Sequence, residues 1–178
     1  MKHLSLRGGL VAALIGSALV AVSTLGVNTA SAMADPNSKT NIADQPGVPD
    51  GWVTDYEGAL KQAKKENRPV LMLFTGSDWC PPCMFMERKV FSTETFENYA
   101  KDNLVSLFLD YPQGKPQSDE LKHQNAALMS QYAIRGYPTM ILLSPEGKKL
   151  WEHIGYMQGG ADALVSAISK AAEKKSDS

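Results

Sequence analysis

The sequence predicts an α/β domain built on a central mixed β-sheet with α-helices on both faces. Three observations lead there. Val70–Thr75 is a continuous apolar run of strand length, the pattern of a strand covered on both sides, and residues 104–109 and Thr139–Leu143 read as a second and a third strand. Segments with apolar residues at helical spacing alternate with them. The third strand is followed by a turn and a return strand, which adds an antiparallel member to the sheet.

The first helix is expected from Thr54-Asp55-Tyr56-Glu57, which has capping-box spacing, followed by Tyr56, Ala59, Leu60 and Ala63. It should stop before Pro69, because the residue preceding a proline avoids the helical region. After the strand Val70–Thr75 comes Gly76-Ser77-Asp78-Trp79-Cys80-Pro81-Pro82-Cys83, then a helix through Met84, Phe85 and Val90. Ser92 is the expected cap of a further helix carrying Phe96, Tyr99 and Ala100 on one side. The second strand ends at Asp110, and residues 111–117, with two prolines and a glycine, form a loop. Ser118 caps a helix whose inner face holds Leu121, Leu128 and Tyr132. Ser144-Pro145-Glu146-Gly147 fits a type I turn between the third strand and its partner over residues 148–156, where Trp151 is expected to cover the sheet. Ala161, Leu164, Val165, Ile168 and Ala172 form the stripe of a last helix.

The ends read differently. Lys2 and Arg7 precede a charge-free apolar run and the small-residue motif Ala30-Ser31-Ala32, so residues 1–32 read as a cleaved secretory signal peptide. An uncleaved N-terminal membrane anchor is the alternative, although the run is rich in Gly, Ala and Ser. Either way the protein is expected outside the cytoplasm, periplasmic or secreted. Residues 33–50 are a flexible lead-in, 51–173 the folded domain, and 174–178 a frayed tail.

Composition removes several classes of function. The 178 residues are 43% hydrophobic and 21% charged, with a formal net charge of −1, which excludes wholesale disorder and low-complexity architecture. The balance argues against an electrostatic nucleic-acid binder. Two cysteines, Cys80 and Cys83, cannot staple a miniprotein.

Their placement carries the chemistry. A C-x-x-C pair between a buried strand and a helix sets the first sulfur where unpaired backbone N–H groups and the helix dipole favour a thiolate. The thiolate is the species that attacks disulfides. Cys83, one turn further in, is placed to resolve the mixed disulfide. Pro81 and Pro82 suit a helix entry, where a missing N–H costs little. An inert bridge is the first alternative, but closing so short a loop contributes only about 2 kcal/mol. Metal is the second; zinc wants four ligands, no second C-x-x-C exists, and His123 and His153 are isolated. No metal site and no dissolved cofactor are expected, since the cysteine pair itself stores two electrons.

Trp79-Cys80-Pro81-Pro82-Cys83 resembles the W-C-x-x-C active site of the thioredoxin superfamily, and residues 132–139 resemble the segment bearing that family's cis-proline, here Pro138. The resemblance spans roughly residues 54–172 and implies a thioredoxin fold, a thiol–disulfide oxidoreductase of the cell envelope, and a monomer. It implies Cys80 as nucleophile, Cys83 as resolving thiol, and Trp79, Tyr137 and Pro138 as the surface that meets protein disulfide or dithiol substrates. An upstream envelope electron donor or acceptor is implied as well. Two departures bear on mechanism. The family's buried Asp before the active site is replaced by Phe74, and its companion Lys by Ser106. Water, Asp78 or a partner group would then take the proton from Cys83, with Asp78 the local candidate. The residues between the cysteines are uncharged, which points to a reducing or isomerising role. A Cu(I)-handling chaperone, using Met84 and Met86, and a non-catalytic binding module are the remaining alternatives.

Overall fold

A computed structural model describes residues 47–173. The expected signal peptide, most of the lead-in and the tail lie outside the described residues.

Five strands form one sheet in the order β1-β3-β2-β4-β5, with β1 (Trp52–Val53), β2 (Val70–Thr75), β3 (Val105–Asp110), β4 (Thr139–Leu143) and β5 (Lys149–Ile154). β1, β3 and β2 run parallel, whereas β4 opposes β2 and β5 opposes β4. Alternation along the strands divides the core in two. Val70, Met72 and Phe74 face Ala59 and Ala63 of α1 (Tyr56–Glu66) and Leu128 of α4 (Asp119–Gln131). Leu71 and Leu73 face the other way, onto residues of α2 (Pro81–Met86), α3 (Glu94–Asn103) and α5 (Gly160–Glu173). Both faces are thus covered over β2, β3 and β4, which is why these strands are almost wholly apolar, with Ser106 a buried exception, whereas β5 at the edge includes exposed polar residues.

Several expectations hold to the residue. β2 and β4 have the expected limits, Ser118 accepts from the Leu121 N–H, and Gly147 N–H closes the 144–147 turn at 2.8 Å. Others shift. The cap of α1 is Asp55 rather than Thr54, with its carboxylate accepting from Gly58 N–H at 3.0 Å, while Thr54 Oγ1 is buried without a partner. The cap of α3 is Thr93 rather than Ser92. Two adjacent hydroxyl- or carboxyl-bearing residues can each serve as a cap, and the residue with extended backbone at the turn takes the role. β1 was not expected; two residues are too few to show a period. Val48, inside the segment read as lead-in, packs on the core, so ordered chain begins before residue 51.

The helix after the cysteines is not uniform. α2 ends at Met86 and continues as a π-helical turn over Glu87–Phe91, with Ser92 N–H bonded to Glu87 O at 2.8 Å. Such turns insert one extra residue and are often found at functional sites. Val90 and Phe91 of this turn are buried in the core, and the Glu87 N–H still bonds to the Cys83 and Met84 carbonyls of α2.

Candidate active site

The site lies at one end of the sheet, where β2 runs out and β4 begins. Phe74 pairs with Thr139, so the register brings Thr75 and the following turn alongside Pro138. That turn leads to Cys80, the N-cap of α2, with Pro81 and Pro82 as the first two helical residues. Cys80 and Cys83 are joined in a disulfide. With two of the entry amides lost to proline, Cys83 N–H donates to Cys80 Sγ at 3.3 Å.

The resemblance-based site residues come together. The Tyr137–Pro138 bond is cis, as expected, and Pro138 is buried. The Trp79 and Tyr137 rings meet edge to face with centroids 5.7 Å apart. The large apolar side chains exposed among the described residues, Trp79, Phe85 and Ile154, fall around this end, with Ile154 paired to Thr139 and Phe85 on α2 against Tyr156.

The first sulfur does sit where the helix begins, as the spacing predicts, but neither cysteine is open to solvent. Cys80 is only 4% exposed and Cys83 3%. The pair is shallow rather than deep, because Trp79, Pro81 and Pro82 on either side of Cys80 are all exposed.

Behind the second cysteine lies a cavity of about 370 Å³, lined by Cys83, Met84, Glu87, Arg88, Phe108 and the 47–49 segment among others. Glu87 stands one helical turn beyond Cys83, and its backbone N–H bonds to Cys83 O. Its half-buried carboxyl accepts from Ser92 Oγ at 3.3 Å, and burial pushes its pKa above the ordinary glutamate value. Sequence reading missed Glu87. Its i, i+4 relation to Cys83 was the available signal, but an acidic residue at that spacing is ordinary on an exposed helix.

Asp78 is occupied elsewhere. Its carboxylate accepts from Gly114 N–H at 2.6 Å and from Gln113 N–H at 3.1 Å. These bonds, Gly114's foremost, hold its pKa below the usual aspartate value. Met86 is fully buried in the core while Met84 lines the cavity, so the two thioethers part company and the copper-handling reading is not favoured. His123 is exposed, and His153 stacks on Trp151, itself half-buried against the core.

A family model described as thioredoxin-like matches residues 51–145. The chain belongs to the thioredoxin superfamily. Disulfide bond reductase DsbH of Chlamydia pneumoniae is 34% identical to it over 116 residues, covering 65% of this chain and 69% of that relative. Thioredoxin-related protein DsbJ of the same organism is 35% identical over 100 residues, which cover 56% of this chain and 29% of the relative. The solved DsbH oxidoreductase has a TM-score of 0.63 at 31% identity, covering 72% of this chain and 92% of that one. The thioredoxin superfamily member described here is a thiol–disulfide oxidoreductase.

Proposed function

We propose that this oxidoreductase works in the reducing direction on protein disulfides of the cell envelope, with Cys80 as nucleophile and Cys83 as resolving thiol. The observation that carries the reading is the disulfide at the head of α2, its outer sulfur accepting the Cys83 N–H. That bond favours a thiolate on Cys80. The name of one similar Chlamydia protein, a disulfide bond reductase, supports the direction, and the signal-peptide pattern of residues 1–32 supports the envelope setting.

The Cys80 thiolate attacks one sulfur of a substrate disulfide, and the first substrate thiolate leaves and takes a proton. The Cys83 thiol passes its proton to the Glu87 carboxylate and attacks the Cys80 sulfur. The mixed disulfide breaks, and the second substrate thiolate leaves with the proton that Glu87 held. Two electrons have then moved to the substrate, and the Cys80–Cys83 disulfide has formed; an envelope dithiol donor, itself oxidised to a disulfide, reduces it back to the two thiols. Glu87 fits the role because a carboxylate with a raised pKa takes a thiol proton more readily than an ordinary one. Asp78, the candidate from sequence, has its lone pairs engaged by two backbone amides. Trp79 and Tyr137 form the surface that meets the substrate, with the buried cis-Pro138 setting the course of the Tyr137 backbone, which offers an edge for an extended segment. No dissolved cofactor enters this scheme.

The test is the reduction potential against glutathione together with insulin reduction. A potential nearer that of thioredoxin, about −270 mV, than that of a strong oxidant, about −120 mV, is expected. A value at the oxidising end, or insulin reduction that survives Cys80→Ser, overturns the proposal.

A further inference from the structure

The loop that follows β3 is fastened to the turn that leads into the cysteines, and the fastening runs through polar groups the exchange chemistry does not use. Asp110, the last residue of β3, accepts from the Ser77 N–H at 2.9 Å and from the Ser77 hydroxyl at 2.6 Å. Asp78 takes the Gln113 and Gly114 amides, and Lys115 Nζ donates back to Ser77 Oγ at 3.1 Å. So fixed, the loop presents the Tyr111 carbonyl to the Trp79 indole N–H at 2.8 Å. The Tyr111 ring packs on Tyr137 with centroids 5.2 Å apart, and its hydroxyl donates to Asn125 O at 2.7 Å. Beneath the indole, Gly76 leaves room that no other residue could: a Cβ there would stand 2.5 Å from the Trp79 ring. Tyr111 thus touches both aromatic residues beside the disulfide, and Asp78 holds the loop on which Tyr111 is mounted.

We propose that Asp78 is a positioning residue: by anchoring residues 111–115 it holds Trp79 and Tyr137 in the arrangement that an extended polypeptide meets on reaching Cys80. The proposal rests on Cys80 being the exchanging sulfur, as above. It assigns the loop a part in selecting protein disulfides over small ones. A small disulfide needs only the sulfur, whereas a polypeptide must also fit the rings on either side, and misplacement of positioning groups is felt strongly in rate.

The experiment compares the full chain with Asp78→Ala and Asp78→Asn, using insulin and oxidised glutathione as the two disulfides and near-ultraviolet circular dichroism as the report on the tryptophans. Asp78→Ala is expected to raise KM for insulin about tenfold, to leave the rate with glutathione within about twofold, and to weaken the tryptophan signal. Asp78→Asn keeps one acceptor oxygen for the loop amides, so it should fall between, and it carries the same test should the alanine variant not fold. Unchanged insulin KM and tryptophan signal in both variants overturn the proposal. Equal losses with insulin and glutathione also overturn it, because Asp78 would then act in the sulfur chemistry itself. If the unaltered chain reduces neither disulfide, the exchange reading fails on its own account, and the tryptophan signal still decides whether Asp78 holds the rings.

Discussion

Around Cys80 the neighbours are aromatic rings and a hydrogen-bonded loop; around Cys83 they are a cavity and a half-buried acid. The first setting is rich in fixed geometry, and its carboxylates, on Asp78 and Asp110, are taken up by the Gln113 and Gly114 amides and by Ser77. The second has room for water and a carboxyl group whose pKa burial has raised. In the proposed mechanism the first sulfur meets the substrate and the second loses a proton, and the two settings match those tasks. The two steps of exchange make different demands, and the fold answers them on opposite sides of a single bond.

The sharpest way to separate the two settings is Cys83→Ala. Catalytic turnover should vanish while a mixed disulfide through Cys80 accumulates, visible as a shifted band on non-reducing gels; if turnover persists, the division of labour is wrong. Next in size is Glu87→Gln, which should slow release of the mixed disulfide about tenfold or more without changing its formation. In the unaltered protein that release should slow as pH falls through the raised Glu87 pKa, and the variant should lose this limb in stopped-flow traces. A stability effect accompanies it. A carboxyl group with a folded pKa above its unfolded value contributes fully below the unfolded pKa, and that contribution is lost as pH rises through the folded one. Glu87→Gln should therefore gain stability relative to the parent in urea melts at pH 8 and show little difference at pH 4. The smallest effect is expected from Tyr111→Phe. It removes the hydroxyl bond to Asn125 O, costing about 1 kcal/mol, but keeps the carbonyl for Trp79, so insulin reduction should be nearly unchanged.

The sheet could be read in advance where burial leaves an unmistakable trace. Val70–Thr75 is legible because a strand covered on both faces must be apolar at every position and Pro69 marks where the helix has ended. Cys80, Cys83, Trp79 and Pro138 were legible because they are a motif, with identity and spacing both in the chain. Glu87 was not. The role proposed for it depends on how far its carboxyl group is withdrawn from water, and no period in the sequence signals that or the π-turn it opens. Asp78 was noticed for its nearness to Cys80 but its partners lie more than thirty residues away in the loop after β3. The cap of α1 slid from Thr54 to Asp55 because two adjacent side chains could do the same job.

Gly47, Val48 and Pro49 wall the cavity behind Cys83, yet the family match starts only at residue 51. A shortened chain begun at that boundary would keep every described strand and both cysteines while unroofing the compartment that shelters the acid. Its fold would look intact by far-ultraviolet spectroscopy, while the resolving step proposed for Cys83 would lose the shelter that raises the Glu87 pKa.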